Sequence, residues 1–319
     1  MSNEVAQSLT IYGNLKIDRI EKLEMLMKTL PQWLDYWGAR AFLRLRGSLA
    51  DEGADFARNL AGIECHVGAE FHQWRWQAQH DLEHVSTPYV FQYLEDHIPS
   101  SSAPPPLQVI DDLIRCDIDV LQYSWFQSYE RQRTLLRKLG AREGSTTQSI
   151  TLEWRSIPEL RKQDPLYFVS LPSIFRRDFY LRVLRSPRPW IRRFDPVTPF
   201  DVEQRPPSAW LMPMTYACVK SELGICLDDD LLAPGSSAIA RGLFVPTQSN
   251  GGRVYDHHAH ASVRRCLNAV ITRADKRLHG TLLHPLPVAL RKSLTLADIL
   301  KYTAKAPVLR VRDKKRTSF

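Results

Sequence analysis

The chain has 319 residues, 44% hydrophobic and 24% charged, with a formal net charge of +8. These are the proportions of a soluble globular protein, with enough chain for one large domain or two modest ones. No apolar run reaches bilayer-spanning length, and the opening MSNEVAQSLT lacks the basic and apolar regions of a signal peptide, so a cytoplasmic location is the expectation.

The five cysteines (Cys65, Cys116, Cys218, Cys226 and Cys266) are scattered and form no CxxC pair. That argues against a disulfide framework or a structural zinc knuckle and for free thiols. The positive charge points to an anionic partner, whether nucleic acid, a membrane surface or a phosphorylated substrate. It is concentrated in residues 171–193, where Arg176, Arg177, Arg182, Arg185, Arg188, Arg192 and Arg193 cluster, and in the tail from Arg310 to Arg316.

Along the first half of the chain, strand and helix patterns alternate. Leu9–Gly13 reads as a short strand, and residues 18–37 follow as a helix with Ile20, Leu23, Leu26, Met27, Leu30 and Leu34 on one face. A second strand over Ala39–Leu45 closes on Arg46-Gly47-Ser48, and a helix over 49–60 leads to a third strand, Glu64–Ala69. A helix through Trp74, Ala78, Leu82 and Val85 precedes the aromatic strand that starts at Tyr89. Beyond the loop Ser100–Pro106 come a helix to about Cys116, a fifth strand over Asp119–Ser124, a charged helix within 126–147 and a further strand from Ser149 to Trp154. Phe168–Pro172 leads into a helix expected over Ser173–Leu184, and the many prolines of 186–213 predict irregular structure. Such alternation implies right-handed crossovers and an α/β fold with a mostly parallel central sheet flanked by helices, followed by a less regular C-terminal region. Residues 1–125 and 126–230 read as two halves of one domain, and 231–319 as an extension with a basic tail.

The densest chemistry lies where the strand Tyr89-Val90-Phe91-Gln92 runs into Tyr93-Leu94-Glu95-Asp96-His97. Carboxylates at the carboxyl end of a strand sit where open α/β sheets bind ligands. The oxygens of Glu95 and Asp96, with the His97 imidazole, suit Mg²⁺ or Mn²⁺ holding a diphosphate. The alternative is a solvated polar turn. Other candidates are the ends of the first strand (Tyr12, Gly13, Asn14) and of the second (Arg46, Gly47, Ser48), Arg176 and Arg177 at an expected helix start, and the acidic pair Asp201 and Glu203. Asp228-Asp229-Asp230 reads as a cap or turn. The cluster Tyr255-Asp256-His257-His258-Ala259-His260 could add a metal ligand at His257, or could serve a metal-dependent hydrolase, although it matches no HExxH pattern. Neither a GxGxxG nor a P-loop sequence is present, and a G-x-S-x-G elbow is also missing.

Several of these segments together resemble nucleotide-sugar glycosyltransferases of the GT-A fold. The strand–helix order of the opening hundred residues looks like the nucleotide-binding half of that family, and Thr87–His97 like its fourth strand with the Asp-x-Asp element, here Glu95-Asp96-His97. Ser170–Arg177 is similar to a segment where a central strand turns into a helix, and Pro199–Glu203 resembles the acidic segment that supplies the base in inverting members. The resemblance covers residues 8–230. It implies transfer of a sugar from a nucleotide-activated donor to a glycan or lipid-linked acceptor, with Asp96 at the metal (Mn²⁺ or Mg²⁺, or arginines in its stead), His97 and His257 as further ligands, and Glu203 or Asp201 as base. Residues 286–316 would allow peripheral contact with an anionic membrane. A nucleic-acid-binding protein is the alternative class, lowered by the absence of an RRM, KH, helix-turn-helix or zinc-finger pattern.

Overall fold

The structure, a computed structural model, describes residues 3–68, 74–124, 129–160, 167–186, 199–203, 209–228 and 236–245. The elements run in the order α1 (Asn3–Ser8), β1 (Leu9–Lys16), α2 (Ile20–Trp37), β2 (Arg40–Arg46), α3 (Ala50–Arg58), β3 (Ile63–Val67), α4 (Trp74–His84), β4 (Tyr89–Gln92) and β5 (His97–Pro99). They continue with α5 (Pro106–Arg115), β6 (Val120–Gln122), α6 (Tyr129–Lys138), β7 (Arg142–Glu143), β8 (Thr147–Leu152), α7 (Ile157–Leu160), β9 (Ser173–Arg176), α8 (Arg177–Arg185), β10 (Met214–Val219) and β11 (Gly224–Cys226). All of them fall within one compact unit, Met1–Arg253.

Nine strands make one sheet in the order β3-β2-β1-β4-β9-β6-β10-β8-β7, and β5 pairs with β11 in a small second sheet. Strands β1 to β4 are mutually parallel, as are β6 and β10. The strand β9 lies between β4 and β6 and is antiparallel to both, so those two share one direction. The far edge, β8 and β7, is antiparallel. The protein is therefore α/β with a large mixed sheet, parallel over most of its strands.

Burial explains which segments became strands. β1, β4, β6 and β10 are buried nearly throughout, as a parallel strand covered by helices on both faces must be, and their sequences are correspondingly apolar. α2 buries Leu23, Leu26, Leu30, Trp33 and Trp37, one stripe at helical spacing, and each large side chain removed from water contributes about 1.5–3 kcal/mol. The helix stops at Gly38, whose φ of 58° lets its amide reach back to the Leu34 carbonyl at 2.8 Å. One charge pair crosses the core: Arg44 on β2 grips Asp81 on α4 with Nε contacts of 2.9 and 2.8 Å, and the Tyr12 hydroxyl donates to the same carboxylate at 3.2 Å.

Two sequence expectations change. Ser173–Arg176 is a strand rather than the first turn of a helix, because Ile174 and Phe175 fill the gap between β4 and β6 and are wholly buried there. The helix begins four residues later than expected, at Arg177. β1 also runs on to Lys16, paired in register with Arg46 of β2, so Tyr12-Gly13-Asn14 is mid-strand rather than a strand end.

Candidate functional site

Sheet order locates the edge at which a ligand can enter. From β1 the chain proceeds outward through β2 and β3 and then returns to place β4 on the other side of β1. A crevice opens at such a reversal, beyond the carboxyl ends of the two strands. Of these two strands, β4 is the shorter: its ladder with β1 ends at Gln92 opposite Tyr12, and one further bond joins the Tyr93 amide to the Tyr12 carbonyl at 2.8 Å. The chain then turns through Glu95 and Asp96 into β5.

The turn is held from below. Thr29 on α2 donates to the Glu95 carbonyl at 3.1 Å and lies 2.6 Å from the Tyr93 hydroxyl, which leaves the phenol as donor to Thr29. The Tyr93 ring packs so closely on Gly13 that a Cβ there would sit 3.0 Å from Cδ1, and the Leu43 side chain would be 2.9 Å away. Gly13 is thus needed for packing under the turn. Burial pushes both the Tyr93 and Tyr123 phenols well up from their ordinary value, and the nearby carboxylate of Asp96 adds to this in each. Both stay protonated donors.

Beyond the turn, β5 pairs antiparallel with β11, so His97 stands directly across from Cys226. Residues opposite one another in an antiparallel pair share a face, with Cβ atoms about 4.5–5.5 Å apart. His97 Nδ1 is 2.7 Å from Asp96 Oδ1; the imidazole side chain is 4% exposed and the Asp96 side chain 36%. One donor atom from each of Asp96, His97 and Cys226 lies within 4.8 Å of the others. The ladder continues through the Leu227 amide to the Asp96 carbonyl at 2.7 Å, which brings Asp228, the first residue of the acidic run, next to the turn.

Glu203 reaches the same edge. The loop before β9 is tied to the end of β6 by the Tyr123 amide, which donates to the Pro172 carbonyl at 3.0 Å, and the Leu171 amide donates to Glu203 Oε1 at 3.3 Å. Asp201 lies in the short 3-10 helix Pro199–Val202. On the other side, Arg46 ends β2 largely buried, and its carbonyl accepts from the Ile17 amide at 2.7 Å. Gly47, at φ 103°, must be glycine, since a Cβ would lie 2.6 Å from the Ile17 carbonyl oxygen. Ser48 caps the corner by donating to the Asp18 carbonyl at 3.4 Å.

The other candidates are not at this edge. Tyr12 is fully buried with its hydroxyl on Asp81. Asn14 is buried as well; its carbonyl accepts from Trp74 Nε1 at 3.1 Å, so this pair of residues ties α4 to the sheet. Arg176 and Arg177 belong to the opposite, amino edge, because β9 is antiparallel: Arg176 is paired in register with Tyr89, the first residue of β4. Its guanidinium holds Asp117 at 2.5 Å and Asp119 at 3.2 Å. Arg177 donates to the Val85 carbonyl at 2.6 Å and holds Asp178 at 3.1 Å. Together with the Arg185–Glu83 pair at 2.8 Å, these contacts neutralise three of the described arginines of the cluster, while Arg182 lies over the Phe179 ring. His257, the rest of its cluster, residues 286–316 and the basic tail lie outside the described residues.

Cys226 is the member of the site that sequence reading missed. No spacing rule links it to His97, since only the β5–β11 pairing brings them together; the short apolar run Leu223–Leu227 ahead of Asp228 was the sole local hint of a strand. A separate cavity of about 350 Å³ lies away from this chemistry, lined by Leu139, Gly140, Arg142, Ile150, Thr151 and Leu152 along the β7–β8 border. We discount it as a catalytic pocket because it holds no carboxylate and no histidine.

Among the described residues the donor set that converges is Asp96, His97 and Cys226, without Glu95; its imidazole and thiol suit a softer ion than the Mn²⁺ or Mg²⁺ expected from the sequence. Comparison with known protein families returns no matching family, and comparison with curated proteins returns no relative. Among the described residues, no helix is long and apolar enough to cross a membrane.

Proposed function

We propose that the protein is a glycosyltransferase of the GT-A type, which takes a sugar from a nucleotide-activated donor at the carboxyl edge of the sheet and passes it to a hydroxyl of a glycan or lipid-linked acceptor. One observation carries the reading: the acidic turn Glu95-Asp96-His97 emerges at the strand-order reversal between β1 and β4, where this class of sheet binds nucleotides. The mixed sheet, parallel through β1–β4, supports it, as does the arrival of Glu203 at that same edge.

In this reading the nucleotide lies over the ends of β1 and β2, near Arg46, Gly47 and Ser48, and its diphosphate faces Asp96. A divalent cation held by Asp96 and His97 would neutralise the charge that develops on the leaving diphosphate. Glu203 is the base. The Leu171 amide fixes one of its oxygens, leaving the carboxylate oriented to take the proton of the attacking hydroxyl. Attack from the face opposite the leaving group gives inversion. Asp201 is the alternative base, and a glutamine or asparagine substitution at each separates the two.

The test is thermal stability of the full chain with nucleoside diphosphates and monophosphates, each with Mn²⁺, Mg²⁺, Zn²⁺ or a chelator. A ligand at a hundred times its Kd stabilises the folded state by about 2.7 kcal/mol. A selective rise with one nucleoside diphosphate supports the reading and names the donor class; no rise with any nucleotide overturns it.

A further inference from the structure

We infer that the turn at the carboxyl edge is a site for a borderline-soft divalent cation of the Zn²⁺ class, with Cys226 as a thiolate ligand beside His97 and Asp96. What the ion does there rests on the donor-site reading above; that Cys226 holds it does not.

Three observations carry the inference. The donor atoms of Asp96, His97 and Cys226 already lie within 4.8 Å of one another. Bond lengths of about 2.0–2.3 Å in a tetrahedral zinc site put its ligand atoms about 3.5 Å apart, so small side-chain rotations close the set. Second, the pairing is built into the backbone: His97 and Cys226 are opposed in the β5–β11 ladder, and Trp33 Nε1 donates to the His97 carbonyl at 2.8 Å, which locks that strand. Third, the His97 side chain is 96% buried and its Nε2 has no hydrogen-bond partner among the described residues. A buried polar atom left without a partner costs about 1–3 kcal/mol. The other nitrogen, Nδ1, lies 2.7 Å from Asp96 Oδ1, and turning that partly exposed carboxylate onto the ion makes it the third ligand.

The chemistry selects the ion. Mg²⁺ demands oxygen ligands, whereas thiolate, imidazole and carboxylate together suit Zn²⁺. Three protein ligands leave a fourth position, which in catalytic zinc sites is taken by water or substrate. On binding, the Cys226 thiol loses its proton to solvent as the sulfur–metal bond forms, so uptake releases one proton and weakens as the pH falls. Part of the edge is open to such an ion, since the Asp96 side chain is 36% exposed.

Cobalt titration of the metal-stripped full chain tests this, because Co²⁺ reports its ligands by colour. The expected result is one equivalent of Co²⁺ with a sulfur-to-cobalt charge-transfer band in the near ultraviolet and strong visible bands, displaced by Zn²⁺ and not by Mg²⁺. Cys226→Ser should abolish the charge-transfer band and weaken Zn²⁺ binding by more than about 100-fold, beyond what loss of an outer partner does. A chain in which the other four cysteines are replaced should keep the band, and it serves if the Cys226→Ser protein does not fold. No thiolate band in the native chain, or a band that persists in Cys226→Ser or disappears when Cys226 is the sole cysteine, overturns the site. Nucleotide stabilisation without a thiolate band overturns the metal assignment alone; a thiolate band without any nucleotide effect retains the site and removes the transferase.

Discussion

The two edges of the sheet carry the same kinds of residue and do different things with them. At the amino edge, Arg176 is held between Asp117 and Asp119, and the Asp119 carboxylate also accepts from the Thr215 amide at 2.8 Å. Each charge there has a protein partner, and the result is a clasp between β9, β6 and β10. At the carboxyl edge, donor atoms of a partly exposed carboxylate, a buried imidazole with one open nitrogen and a thiol lie within 4.8 Å of one another, and Glu203 accepts from the Leu171 amide at the same edge. Strand direction separates the edges. β9 runs against its neighbours, so its carboxyl end, with both arginines, points away from the switch point. Charge composition alone does not make a site; what decides is which side chains strand direction brings to one edge.

The comparison is broken most directly at Glu203. Glu203→Gln is expected to lower turnover by roughly 10²–10⁴ while donor binding, read by thermal shift, is unchanged. Normal turnover would remove Glu203 as base. Asp96→Ala should reduce turnover by about 10²–10³ with the melting temperature kept, since its side chain is partly exposed at the mouth of the turn.

A control belongs to neither edge's chemistry. Asp112 accepts from the Ser145, Thr146 and Thr147 amides at 3.0, 2.6 and 3.0 Å and from Arg115 at 2.6 Å. Burial by itself would raise its pKa, but these donors win and hold the carboxylate below the usual range. Because the folded value lies below the unfolded one, the stabilisation is complete above pH 4 or so and is lost as the pH falls further. Asp112→Asn should cost about 3 kcal/mol in chemical denaturation at neutral pH and remove that acid dependence without altering metal or nucleotide binding.

Arg176→Ala should give the smallest change, about 1–3 kcal/mol of stability, with donor binding untouched. The carboxyl it faces is shifted the other way from Asp112, yet the cost of the variant falls in acid in the same sense. Burial raises the Asp119 pKa above its ordinary value, against the Thr215 amide and Arg176. Without the arginine the carboxyl is pushed up further, so the cost should be largest near neutral pH and shrink as acid protonates Asp119. Loss of nucleotide or Co²⁺ binding in this variant would contradict the division between the edges.

Periodicity was enough for most of the fold. The stripe of Leu23, Leu26 and Leu30, the strand composition of Tyr89–Gln92 and the Arg46-Gly47-Ser48 corner are local signals, and the elements they predict are present. Ser173–Arg176 was misread because four apolar-centred residues ahead of a true helix fit either period; only the gap between β4 and β6 makes them a strand. Tyr12-Gly13-Asn14 lies inside β1 rather than at the strand end expected from the sequence, and the small size of Gly13 serves the Tyr93 ring packed on it.

By itself, then, the sequence determined the alternation of strands and helices and the location of the acidic turn, since both follow from local composition and spacing. It left undecided which edge each charged residue faces and which residues meet across the second sheet. Those are properties of strand order and direction, fixed by long-range packing of Ile174 and Phe175 and by the β5–β11 ladder, which sets Cys226 opposite His97.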